Sequence, residues 1–134
     1  MSVDYHIDKK LQLVDIKASG VLTTAELLHM YETLLEDADY LNMIPVLTDM
    51  TEVHTLDISL EGIVEVFEVA ERRSAGRKNA KSAIIVNDRG QVMFARMSAA
   101  LADHSSNLPN IKLFATREDA LGWLDVAQPN ALSA

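Results

Sequence analysis

The sequence predicts an α/β fold: a mixed, mostly parallel five-stranded sheet with four helices, in the order β-β-α-β-α-β-α-β-α. Three observations carry this. Short apolar runs alternate with segments whose apolar residues recur at three and four, and those helical segments are long enough to cross between parallel strands. The first two strand-like runs are separated only by Asp8, Lys9 and Lys10, so they pair as an antiparallel hairpin.

Residues 3 to 7 alternate apolar and polar side chains, and Leu11, Leu13, Ile16 and Ala18 mark the second strand. Gly20 interrupts that pattern. Thr23 and Glu26 then form a capping box, in which the hydroxyl and the carboxylate satisfy free N–H groups and open the first helix. Its apolar side is Leu27, Leu28, Tyr31, Leu34, Leu35 and Ala38. After Asp39 and Asn42, residues 43 to 50 form a short apolar run with Pro45 near its start, the third strand, and a loop follows to Asp57. Leu60, Ile63, Val64, Phe67 and Ala70 take up helical spacing until Gly76, which can supply a left-handed residue beyond the helix end. Residues 82 to 87 are continuously apolar apart from Ser82 and Asn87, as in a strand covered on both faces. Asp88 with Gln91 caps the next helix, whose buried stripe is expected at Met93, Met97, Ala100 and Leu101. Asn107, Pro109 and Asn110 break it, residues 111 to 115 form the last strand, and Thr116 opens a final helix through Leu121 and Leu124. Without internal repeat or linker, residues 1–127 are expected to form a single domain and residues 128–134 a C-terminal tail.

Composition excludes several functions. A chain of 134 residues suits one core. Without cysteine there is no disulfide, thiolate metal site or cysteine nucleophile, and a reducing cytoplasm is the expected location. The opening residues lack the basic and apolar regions of a signal peptide, and no apolar run approaches the ~20 residues of a membrane span. A formal net charge of −8 repels phosphate backbones, so nucleic acid is not an expected partner.

The search for chemistry is mostly negative. Gly20, Gly62, Gly76, Gly90 and Gly122 are scattered, and no phosphate-binding fingerprint forms. His6, His29, His54 and His104 show no metal-ligand spacing and read as surface or capping residues, with His104 near a helix C-terminus. Glu61, Glu65 and Glu68 read as a solvated helix face on which Glu68 can pair with Arg72. Arg72, Arg73, Arg77, Lys78 and Lys81 reverse the charge locally and complement a helix C-terminus. No catalytic residue, metal ligand or cofactor is assigned.

One segment carries a sharper signal. Residues 46 to 64 resemble the signature stretch of STAS domains, the fold of anti-sigma factor antagonists and of the cytoplasmic tails of sulfate transporters. Asp49, Thr51 and Val53 match that family's strand end, and Asp57, Ser59 and Gly62 its helix opening. Ile58 stands where the family has a first serine and Leu60 where it has a glycine. Gly20, Val21, Leu22 and Thr23, and later Ala120, Leu121, Gly122, Trp123 and Leu124, also look like the STAS or SpoIIAA-like pattern. The resemblance implies a regulatory protein-interaction domain rather than an enzyme; the SpoIIAA-like branch is also related to CRAL-TRIO lipid binders.

Independently of family, Ser59 lies at a helix start, where free N–H groups and the positive dipole end would stabilise a phosphate. It is the candidate switch; simple capping by Asp57 or Ser59 is the plainer use of the same residues. The candidate interaction loop comprises Asp49, Thr51, His54, Asp57, Gly62, Asp88 and Arg89, at the carboxyl ends of strands where open α/β sheets place their sites. The primary expectation is a non-enzymatic module with a protein partner. The alternatives are a small-molecule or lipid carrier in which Met93, Met97 and Leu101 line a pocket, and an enzyme in which Asp49, His54 and Asp57 converge. A homodimer through an edge strand or the Phe94 and Met97 region is a further expectation.

Overall fold

Asp8 sets the opening turn: its carboxylate accepts from the backbone N–H groups of Lys10 and Leu11, each at 3.0 Å, and β1 (Val3–Asp8) folds back on β2 (Leu13–Thr23). The computed structural model describes residues 2–41, 43–73, 80–105 and 107–126. Beyond the hairpin follow α1 (Thr24–Glu36), β3 (Val46–Asp57), α2 (Leu60–Arg73), β4 (Lys81–Ile85), α3 (Arg89–Asp103), β5 (Asn110–Phe114) and α4 (Arg117–Leu124). This is the predicted order.

The five strands lie in the sheet in chain order; β1 is antiparallel to β2 and every other pair is parallel. Strands that step in one direction through right-handed crossovers place all connecting helices on one face. The cores agree. Ile16, Met50, Ile84, Leu27, Leu34, Val66 and Ala95 join the sheet to α1, α2 and α3, whereas Leu13, Leu47, Ala83 and Ile85 meet Ala120, Leu121 and Leu124 of α4 on the other side. All four helices therefore begin at the carboxyl edge of the parallel strands.

Several local expectations change. Gly20 does not end β2; it lies inside the strand at φ +66°, a conformation that glycine adopts at no steric cost. The expected loop after residue 50 is strand, because β3 runs on to Asp57 paired with the far end of β2. Between Lys17 and Ser19 of β2 the partner advances from Asp49 to Glu52, and between Gly20 and Val21 from Val53 to Thr55, so β3 carries one extra residue at each step. Such bulges break the simple alternation that marks a strand in sequence.

The stripe expected on α3 is rotated. Its buried residues are Gln91, Ala95, Ser98 and Ala102, while Met93 is 65% exposed. Small side chains let the helix lie close to the sheet, and both stripes share the three-four spacing, so periodicity alone does not choose between them. In the capping box, Thr23 Oγ1 accepts from the Glu26 N–H at 3.2 Å as expected, and the Glu26 carboxylate accepts from the Thr23 hydroxyl at 3.2 Å and from the Ser2 N–H at 2.9 Å. Glu68 and Arg72 are both exposed and make no ion pair with each other. Gly76, Arg77, Lys78, the Arg73 side chain and the tail at 128–134 lie outside the described residues.

Candidate functional site

At the carboxyl edge each helix starts on a polar side chain. Thr23, Asp88 and Thr116 accept from Glu26, Gln91 and Asp119 N–H groups, and Ser59 Oγ accepts from the Gly62 N–H at 3.0 Å. The Ile63 N–H donates to the Ser59 carbonyl at 3.0 Å, which fixes Ser59 as the N-cap of α2. Ser59 is exposed, as are Asp57 and Leu60 on either side of the cap, while Ile58 turns inward against the main core. The isoleucine in the family's serine position thus anchors the turn.

The remaining candidates divide into two groups. Asp49 and Thr51 stabilise the first bulge: Asp49 Oδ1 accepts from the Thr51 N–H at 2.9 Å and from its hydroxyl at 2.7 Å. This is a structural use of the strand-end pair, since the side chain takes up an N–H near the step in the ladder. His54 falls at the second bulge and is exposed. Asp49 lies five residues before His54 and eight before Asp57 on one extended strand, roughly 16 and 26 Å away at ~3.3 Å per residue. His54 and Asp57 form no ion pair with each other. The three groups proposed for an enzyme do not gather in one cleft, and no group of three or more His, Asp or Glu among the described residues could hold a metal ion.

Asp88 and Arg89 stand at the start of α3, where sequence reasoning overlooked the extent of Gln91's role. This side chain is 1% exposed. Its Oε1 accepts from the Asn87 N–H at 2.7 Å, and its Nε2 donates to the Val53 carbonyl at 3.0 Å and to Asp88 Oδ2 at 3.2 Å. The glutamine ties the far part of β3 to α3. The signal was its capping position; only the fold reveals that it is buried.

Interior space is small. The two apolar recesses under α1 and α2 hold about 40 and 50 Å³, against the roughly 300–1,000 Å³ of ordinary ligand pockets. Met93 and Met97 line an open groove on α3 with Asn87, Asp88, Arg89, Val92 and Arg96, not an enclosed chamber. No helix among the described residues is long and apolar enough to cross a membrane.

On the open side of the sheet charges are matched internally. The Arg117 guanidinium reaches Asp15 at 2.6 and 3.4 Å, and Lys17 meets Glu52 at 2.7 Å. Each partner raises the pKa of its cation through a hydrogen bond.

Residues 13–125 match the family model described as SpoIIAA-like. Among solved structures, the chain is similar to an uncharacterized protein of the DUF3478 family with a SpoIIAA-like fold from Shewanella loihica PV-4, with 21% identity, a TM-score of 0.58 and coverage of 92% of this chain and 94% of that one. It is also similar to an anti-sigma factor antagonist from Mycobacterium paratuberculosis, with 15% identity, a TM-score of 0.52 and coverage of 92% and 95% respectively. No curated protein matches the sequence. These two likenesses establish a common fold.

Proposed function

The chain belongs to the SpoIIAA-like family, and on that premise we propose that it is a non-enzymatic regulatory module that binds a protein partner through the carboxyl edge of its parallel strands and is switched at Ser59. The observation that carries the reading is the position of Ser59: an exposed hydroxyl at the N-cap of α2, at the edge where every helix begins. One structural neighbour with the same fold is an anti-sigma factor antagonist, which supports a regulatory reading.

The physics of a switch follows from the cap. A phosphate on Ser59 brings about −1.5 to −2 charges to the positive end of the helix dipole, where free N–H groups can donate to it, and adds charge and bulk to the surface around Leu60. A partner fitted to the neutral form would then be released. The recesses of about 40 and 50 Å³ give no comparable support to a lipid carrier.

Immobilised wild-type protein, Ser59→Ala and Ser59→Asp, exposed to lysate of the native host and compared by quantitative mass spectrometry, test this reading. A protein retained by wild type and Ser59→Ala but lost on Ser59→Asp is the expected result. Identical capture by all three, with unchanged circular dichroism, rules the switch out.

A further inference from the structure

The outer faces of α2 and α3 lie side by side on the same face of the sheet and carry opposite charge. On α2, Leu60 is 58% and Val64 36% exposed, with exposed Glu61, Glu65 and Glu68 around them. On α3, Met93 is 65% exposed, with exposed Arg89 one turn before it and Arg96 one turn after. None of these three glutamates or two arginines makes an ion pair among the described residues. The bare face beyond β2 is different, since Arg117 and Lys17 are satisfied by Asp15 and Glu52. From Leu60 to Glu68 the exposed charge of α2 is thus acidic, and from Arg89 to Arg96 that of α3 is basic, with Arg72 reversing the sign only at the end of α2.

We propose that α2 and α3 form the self-complementary interface of a homodimer, α2 of each copy lying on α3 of the other. The symmetry allows it. Both helices start at the same sheet edge and run in the same direction, so a two-fold axis along them sets α2 on the second copy's α3 in parallel. The two starts are offset: Gln91 in the first turn of α3 sits at Val53, whereas α2 begins only after β3 has run on to Asp57. The exposed glutamates of α2 then face Arg89 and Arg96, and Val64 faces the groove at Met93 and Met97, each contact occurring twice. Methionine suits the apolar part because its flexible thioether adapts to the facing surface.

The second copy is favoured over a foreign helix because the complementary face, acidic with exposed aliphatic residues at four-residue spacing, is present on the same molecule. Leu60 and Glu61 adjoin Ser59, so this surface borders the proposed switch, but self-association of the unmodified chain does not depend on it. Its members are exposed helix residues, so charge reversal leaves the fold intact and changes only association.

Sedimentation equilibrium of the full chain, up to about 100 μM, where a micromolar dimer would be well populated, supplies the test. Wild type is expected to dimerise, more weakly at high salt. Arg89→Glu/Arg96→Glu and Glu65→Arg/Glu68→Arg each weaken self-association at least about tenfold through like-charge contacts. Mixed in equal amounts, the two double variants regain the dimer as a heterodimer, since each supplies the charge the other lost. A wild type that stays monomeric, a dimer indifferent to both double variants, or a mixture that stays monomeric overturns the proposal.

Discussion

The Gln91 side-chain amide donates to the Val53 carbonyl at 3.0 Å, joining two residues 38 positions apart. Val53 lies beyond the last residue of β3 that pairs with β4, Asp49, and next to the step in the β2–β3 register. A side chain therefore takes the place of a neighbouring strand. Gln91→Leu keeps the volume but removes the partners of the Val53 carbonyl and the Asn87 N–H. With the buried Val53 carbonyl left unpaired, and the Asn87 N–H closer to solvent, a loss of about 1–3 kcal/mol is expected in urea unfolding. A loss below about 0.5 kcal/mol would show that both groups find other partners.

Gly62 and Thr24 make a second constraint. A Cβ placed on Gly62 would stand 2.5 Å from Thr24 Oγ1 and 2.8 Å from its methyl, where the first turns of α2 and α1 touch. Thr24 is short and β-branched, so it cannot swing aside freely. Gly62→Ala should cost about 1–3 kcal/mol by overpacking. Adding Thr24→Gly clears the methyl and hydroxyl, and a double-mutant cycle should show a coupling above about 0.5 kcal/mol. Additive losses would show that contact with Thr24 is not what demands a glycine at 62.

The Tyr5 hydroxyl donates to Asp37 Oδ2 at 2.8 Å, linking β1 to the end of α1. Burial, then the hydrogen bond and charge of Asp37, push the phenol up to about 12. Since that folded value exceeds the ordinary ~10, the stabilisation is complete below pH ~10 and is lost as pH rises toward 12. Asp37 itself is lowered, first by the Asp39 N–H and then by the Tyr5 hydroxyl. Its contribution is present above the ordinary carboxylate value and disappears as pH falls through the folded one. Melting temperature against pH should fall at both ends; Tyr5→Phe should flatten the alkaline limb and Asp37→Asn should soften both. Unchanged limbs would mean that the pair does not couple to folding.

Regular periodicity made the sheet, its strand directions and the helix starts legible in the sequence. Thr23, Asp88 and Thr116 cap where their side-chain chemistry indicates, and the hairpin follows from a short polar turn. Residues 51 to 57 read as loop because two extra residues disrupt the alternation of β3, and because the partner that completes Val53 comes from a helix far along the chain. On α3 two stripes satisfy the same period, and the smaller residues face inward. Ser59 was legible as a helix-start residue, whereas the close packing that demands a glycine at 62 depends on Thr24, 38 residues earlier, and has no local signature.

The cap at Ser59 makes opposite demands on its two informative variants. Ser59→Ala removes the acceptor of the Gly62 N–H, held at 3.0 Å, and should cost about 1 kcal/mol, or about 2–6 °C in melting temperature for a domain of this size. Ser59→Asp keeps an acceptor and adds a charge that the helix dipole favours, so its stability should stay within about 0.5 kcal/mol of wild type. Exposed Asp57 and Glu61 oppose that charge, and the ranking measures which field is stronger. If Ser59→Asp proves less stable than Ser59→Ala, repulsion exceeds the dipole and cap together, and a doubly charged phosphate at the same atom would be still less favourable.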